Sequence, residues 1–202
     1  MFSGIIEEKG RITAIDHQQE TITFTIEASS IPLEMKVNDS LAIDGVCLTV
    51  VSRDTNLLSF NLVPQTLEKT TLGSRYIGEE VNLERAMGIN SRFDGHLVQG
   101  HVDCKATIVS VDDLGTSVEI SIEIPSSYAN LIVPRGSITI DGISFTIAKC
   151  QEAQFTIAVI PHTLSLTTIG SRSVGNEVNI EFDILGKYVL KSLDNWRKDD
   201  LE

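Results

Sequence analysis

The sequence predicts an all-β chain made of two copies of one small barrel or sandwich, followed by a single amphipathic helix. Three observations carry this. The chain repeats itself: LVPQTLEKTTLGSRYIGEEVNLE at Leu62–Glu84 returns as VIPHTLSLTTIGSRSVGNEVNIE at Val159–Glu181, and SLAIDGVCLTV at Ser40–Val50 returns as SITIDGISFTI at Ser137–Ile147, both 97 residues on. The opening MFSGII answers to LVQGHV at Leu97–Val102, 96 residues on. A period this long exceeds any solenoid repeat or propeller blade, so each copy is expected to be a complete domain with its own core. Apolar residues alternate with a period of two, and turn residues interrupt the apolar runs at short intervals.

Taken in order, TITFTI at Thr21–Ile26 places Ile22, Phe24 and Ile26 on one face, as VEISIEI at Val118–Ile124 does with Val118, Ile120, Ile122 and Ile124, the pattern of half-buried antiparallel strands. Further strands are expected near Leu57–Val63, Glu80–Arg85, Phe155–Ile160 and Glu177–Phe182. Asp44-Gly45 and Asp141-Gly142 lie between apolar runs and mark equivalent hairpins, because glycine accepts the positive φ of a tight turn. The stretches from Pro64 and Pro161 break the strand pattern. Each is read as a short helix or Ω-like loop, with proline at its start and Gly73 or Gly170 at its end. GINSRFDG at Gly88–Gly95 is a polar linker. The domains are therefore residues 1–95, 96–183 and a final helix, 184–202, in which Leu185, Tyr188, Val189, Leu193 and Trp196 fall at helical spacing. That stripe must be buried on the chain's own barrels or on another subunit.

The 202 residues, 42% of them hydrophobic, suffice for two packed cores. A formal charge of −12 with scattered basic residues gives no footprint for a phosphate backbone, so no nucleic-acid partner is expected. No run of membrane-spanning length and no signal peptide is read, and a cytoplasmic location follows as the default. Cys47, Cys104 and Cys150 are odd in number and lack CxxC spacing, so they are expected to be thiols. No phosphate loop or dinucleotide fingerprint occurs.

Cys47 and Thr49 in the first copy answer to Ser144 and Thr146 in the second. Residues two apart on a strand share a face, so each pair presents two small polar groups together. They are either hydroxyls satisfied by a neighbouring strand or the wall of a pocket, and their duplication favours the wall. Cys47 has no basic neighbour in sequence to activate it as a nucleophile. His96 and His101 are the candidates for acid–base work. With no third ligand pattern they do not suggest a metal. His101 stands where the first copy has Ile5, an asymmetry suited to treating two bound molecules differently. His162 opposite Gln65 is a second such difference. Asp183 is a helix N-cap or a ligand for a polyol.

MFSGIIEE, DGVCLTV, GHLVQGHVD, DGISFT and two copies of P-x-T-L-x-x-T-x-x-G together resemble the single-polypeptide, α-type riboflavin synthases over nearly the whole chain. The resemblance implies two six-stranded Greek-key β-barrels and a C-terminal helix through which three chains form a homotrimer. It implies a transferase that dismutates two molecules of 6,7-dimethyl-8-ribityllumazine into riboflavin and 5-amino-6-(ribitylamino)uracil, the last step of riboflavin biosynthesis, with no metal or cofactor. Association with lumazine synthase is a further partner it raises.

Carried over by position, the resemblance gives one pocket lined by Gly4, Ile5, Ile6, Cys47, Leu48, Thr49, Asn61, Leu62, Val63, Pro64, Gln65 and Thr66. The other is lined by Gly100, His101, Val102, Arg135, Ser144, Phe145, Thr146, Ala158, Val159, Ile160, Pro161, His162 and Thr163, with Asp183 near the ribityl chain and Phe2 closing the site. His101, Ser144, Thr146 and Cys47 are the implied catalytic groups. Arg135 stands where the family often has lysine, which keeps the charge and changes the hydrogen-bond geometry. The alternative is a non-catalytic lumazine- or flavin-binding antenna protein that keeps the barrels and holds one chromophore. A flavin-reductase-type barrel would leave the repeat unexplained.

Overall fold

The computed structural model describes residues 1–17 and 21–199. Twelve strands form two closed antiparallel barrels. The first contains β1 (Glu8–His17), β2 (Ile22–Glu27), β3 (Ser40–Ile43), β4 (Val46–Arg53), β5 (Leu57–Leu62) and β6 (Glu80–Arg85). Around the barrel they follow the order β1-β2-β5-β4-β3-β6. The second contains β7 (Cys104–Asp113), β8 (Val118–Glu123), β9 (Ser137–Ile140), β10 (Ile143–Gln151), β11 (Gln154–Val159) and β12 (Glu177–Phe182), in the same cyclic order. Closure removes the free edges that an open six-stranded sheet would expose.

The alternation expected from the sequence sets the cores. Phe24, Ile26, Leu58, Phe60 and Leu62 fill the first barrel, and Ile120, Ile122, Phe155, Ile157 and Val159 fill the second. Even the irregularities are duplicated. The ladder shifts between Ile12 and Ala14 and again between Ile108 and Ser110, and between Val50 and Ser52 as between Ile147 and Lys149. Bulges at equivalent points bend equivalent strands, which closes the two barrels alike.

A short helix, α1 (Ile31–Glu34), follows β2, and the segments after Pro64 and Pro161 form α2 (Pro64–Lys69) and α3 (Pro161–Leu166), followed by 3-10 turns at Thr71–Ser74 and Thr168–Ser171 respectively. Gly73 and Gly170 lie inside those turns and not at the helix ends, which corrects the reading above. A Cβ on Gly73 would stand 2.2 Å from the Leu67 carbonyl oxygen, and one on Gly170 2.1 Å from that of Leu164. Close approach of two backbones, not a left-handed cap, is what requires glycine there.

The barrels are joined by exchanged polar groups about a local two-fold axis. Asn82 on β6 donates to the Asp141 carbonyl and accepts the Thr168 N–H, while Asn179 on β12 donates to the Asp44 carbonyl and accepts the Thr71 N–H. The two hairpin turns touch, and a Cβ on Gly45 would lie 2.7 Å from the Gly142 nitrogen. Asp44 and Asp141 are fully buried there, with Arg75 at 2.7 Å and Arg172 at 3.0 Å respectively. Burial and the Asp141 carboxylate raise Asp44 to about 6, against the opposing pull of Arg75 and Arg172.

The last helix, α4 (Ile184–Asp199), carries the apolar stripe expected of it. Leu185, Tyr188, Val189, Leu193 and Trp196 are exposed on it, so this chain does not cover the stripe. Residues 200–202 of the expected helix lie outside the described residues. No helix of the described residues is long and apolar enough to cross a membrane.

Candidate active site

Strands β3 and β4 pair Ser40 with Thr49 and Ala42 with Cys47, and β9 and β10 pair Thr139 with Ser144 and Ser137 with Thr146. Leu48 and Phe145 point into the cores, so the polar residues on either side of each share the outer face of the barrel. Cys47 and Ser144 are half-buried, and Thr49 and Thr146 are exposed. Beside these faces run the β5 and β11 ends and the helices that follow. Asn61, Val63, Pro64 and Gln65 are exposed with Thr66 half-buried, and Ala158, Ile160, Pro161 and His162 are exposed with Thr163 half-buried. Leu62 and Val159 belong to the cores.

The lead segments of the two copies cross. Phe2 and Val98 form a two-residue antiparallel bridge, with N–H···O distances of 2.8 and 3.1 Å. Beyond the bridge each segment runs onto the other barrel. Ser144 N–H donates to the Gly4 carbonyl at 2.7 Å, and Cys47 N–H donates to the Gly100 carbonyl at 2.9 Å. Both glycines have positive φ, +80° and +78°, and each backbone lies against the opposite strand. Gly4 therefore lies beside Ser144 and Gly100 beside Cys47, while Ile6 packs on the second core and Val102 on the first. This reverses the grouping expected from chain order, because the repeat comparison records which copy a residue belongs to and not which barrel it touches.

The two faces differ where the lead segments cover them. On the first, Phe2 is fully buried with Ala42 and Val98, and Cys47 packs against them. On the second, Thr139 replaces Ala42 and the imidazole of His96 fills the space. His96 Nδ1 lies 2.7 Å from Ser144 Oγ and Nε2 lies 3.1 Å from Thr139 Oγ1. His96, rather than His101, thus contacts the Ser144 hydroxyl. His101 is exposed, and its backbone N–H is held by Glu181. Arg135 is exposed in the turn before β9, at φ +66°. Asp183 Oδ1 accepts the Leu185 N–H at 3.0 Å, the capping role open to it.

Burial lowers His96 below the usual imidazole range, against the pull of Asp183. The folded imidazole then binds a proton less readily than the unfolded one, whose ordinary value is 6.5. The folded state takes up fewer protons, so this contribution to stability is complete above about pH 6.5 and is lost as pH falls below it. Urea midpoints at about pH 7.5 and about pH 5 are expected to show the loss. His96→Asn keeps a hydrogen-bonding atom near Nδ1 and cannot titrate, and should abolish that part of the slope.

The sequence does not single out Glu84, Glu181 or Thr139. The signal for the carboxylates was available: Glu84 and Glu181 are identical at the 97-residue offset, inside strands where a buried charge is costly. A cleft of about 710 Å³ runs past Ser3, Ser40, Glu84, Arg85 and Met87. It shares only Ile5 with the expected pocket residues.

Two tandem barrels with equivalent polar faces and exchanged lead segments define a duplicated lumazine-binding protein, and the lumazine binding domain family matches twice, at residues 3–86 and 99–183. Riboflavin synthase of Actinobacillus pleuropneumoniae is 41% identical over 189 residues, covering 94% of this chain and 88% of that one. Riboflavin synthase of Bacillus subtilis is 40% identical over 193 residues, covering 96% and 90%. The chain belongs to the riboflavin synthase family. Among solved structures, LumP complexed with riboflavin superposes with a TM-score of 0.83 at 26% identity, over 90% of this chain and 99% of that one. LumP complexed with 6,7-dimethyl-8-(1'-D-ribityl) lumazine gives 0.81 at 23% identity over the same shares, a likeness of fold.

Proposed function

We propose that the chain dismutates two molecules of 6,7-dimethyl-8-ribityllumazine, one giving a four-carbon unit to the other, to yield riboflavin and 5-amino-6-(ribitylamino)uracil. The observation that carries this reading is the pair of polar faces, alike in backbone and in Thr49 and Thr146, yet unlike at Cys47 and Ser144 and in the groups packed on them. Donor and acceptor are the same compound, so two copies of one face suit two copies of one substrate. Holding the two molecules face to face supplies much of the rate by orientation.

Thr49 and Thr146 on the two faces are exposed, as is the α4 stripe, which supports a homotrimer in which the first barrel of one protomer meets the second barrel of a neighbour. The lumazine 7-methyl protons are acidic because the anion delocalises into the ring. Modest general-base help therefore suffices, and it falls to His101 of the facing protomer with Ser144 and Thr146, His96 orienting the Ser144 hydroxyl. Water, a hydroxyl or Cys47 adds at C7 of the partner molecule. His101→Ala is expected to lower turnover about a hundredfold while binding stays near wild type, and wild-type turnover would remove it from the mechanism.

The deciding experiment is to incubate the purified protein with the lumazine, without added cofactor, and to follow riboflavin by absorbance and chromatography. Catalytic formation of one riboflavin per two lumazines supports the reading. Tight binding without turnover would favour a chromophore holder instead.

A further inference from the structure

The crossing of the lead segments raises the question of what holds them. Two buried carboxylates do so, one from each barrel. Glu84, 4% exposed on β6, accepts the Ser3 N–H at 2.6 Å, the Ser3 hydroxyl at 2.9 Å and the Gly4 N–H at 3.0 Å. Glu181, 3% exposed on β12, accepts the Gln99 N–H at 2.7 Å and the Gly100 and His101 N–H groups at 2.9 Å each. Burial raises both carboxyls above their ordinary value, against the N–H donors that favour the charged form.

The chain of contacts does not stop at the segment. The Gly100–His101 peptide gives its N–H to Glu181 in the second barrel and takes the Cys47 N–H of the first barrel on its carbonyl. On the other side, the segment gripped by Glu84 in the first barrel presents the Gly4 carbonyl to Ser144 N–H in the second. A carboxylate bonded to three donors has little freedom to shift. The positive-φ glycines bring each backbone so close that no side chain intervenes.

We propose that Glu181 and Glu84 are positioning residues for the pocket of the opposite barrel, Glu181 fixing the wall at Cys47 through the Gly100–His101 peptide and Glu84 fixing the wall at Ser144 through Gly4. This rests on reading the Cys47 and Ser144 faces as the two pockets. Each pocket is then built on one barrel and held in shape by a carboxylate of the other, so neither barrel alone presents a finished site.

The test uses the full chain carrying Glu181→Gln or Glu84→Gln, in which an acceptor oxygen becomes an NH2 that cannot accept. Amide hydrogen exchange is followed by mass spectrometry on peptides spanning Val46–Val50 and Ile143–Ile147, with KM and kcat measured on 6,7-dimethyl-8-ribityllumazine. Losing a charge-assisted bond of this kind is expected to speed exchange on the order of tenfold. Glu181→Gln should show this at Val46–Val50 while Ile143–Ile147 keeps its protection, and Glu84→Gln should show the reverse, each with a raised KM. If Glu181→Gln yields no folded protein, Glu181→Asp, which keeps the charge and shortens the reach, is read in the same way. Faster exchange confined to the mutated residue's own barrel would overturn the proposal. Ser144→Ala and Thr49→Ala are measured alongside. Normal constants in both would overturn the pocket reading and the proposal with it, whereas altered constants there with normal constants in Glu181→Gln would overturn the positioning role alone.

Discussion

Removing residues 184–202 is expected to give a monomer whose turnover has fallen a hundredfold or more, on the scale by which misplaced reactants lose rate. The barrels themselves should remain folded. Their cores are made of residues that precede Ile184, and the apolar positions of α4 contribute little to them. Leu185, Tyr188 and Trp196 are 66%, 70% and 76% exposed. A helix with that much apolar surface in water calls for a partner. If two lumazines must be presented to each other across a contact between protomers, losing the contact leaves each bound molecule without its reaction partner. Sedimentation or light scattering with a turnover assay checks this, and an active monomer would place the whole reaction within one chain. Residual contact is expected at Tyr128, whose ring stacks on Phe182 at 5.2 Å, because neither residue belongs to the removed segment.

Gly100→Ala is expected to be severely damaging to the site. Two costs combine there. An alanine at φ +78° enters the left-handed region, which costs about 1–2 kcal/mol. Its Cβ would also stand 2.6 Å from Cys47 Cβ, 2.9 Å from Cys47 N and 3.0 Å from Phe2 Cε2. Two of these neighbours belong to β4 and one to a fully buried ring, so the lead segment must move and the Gly100 carbonyl must leave the Cys47 N–H. A turnover loss of roughly a hundredfold is expected, with the barrels intact. Gly78→Ala provides the control, since Gly78 has φ +99° and nothing within 4 Å of the added Cβ. It bears the backbone cost and should leave turnover unchanged. Equal losses in both variants, by kinetics and thermal unfolding, would show that strain alone and not the pocket contact governs Gly100.

The internal repeat made much of the fold legible from the sequence. Strand alternation at Thr21–Ile26 and Val118–Ile124, the two Asp-Gly hairpins and the helical stripe from Leu185 to Trp196 are local patterns, fixed by side-chain period and by the φ preferences of glycine and proline. The polar pairs Cys47 with Thr49 and Ser144 with Thr146 were legible for the same reason, since residues two apart on a strand must share a face.

What the sequence could not decide is which barrel each lead segment serves. The sequence groups Gly4 with its own copy, and Gly100 likewise, because a repeat reports ancestry and contains no information on contacts between copies. The crossing follows from the Phe2–Val98 bridge and from hydrogen bonds such as that from the Ser144 N–H to the Gly4 carbonyl, which join residues far apart in the chain. His96 shows the same limit. Five residues from His101, it becomes the partner of Ser144 only because β9 and β10 bring Thr139 and Ser144 to its two ring nitrogens. Periodicity and turn chemistry, which act within a few residues, were determined by the sequence alone. The pairing of carboxylate, segment and opposite barrel required tertiary structure, because it depends on how two closed barrels dock.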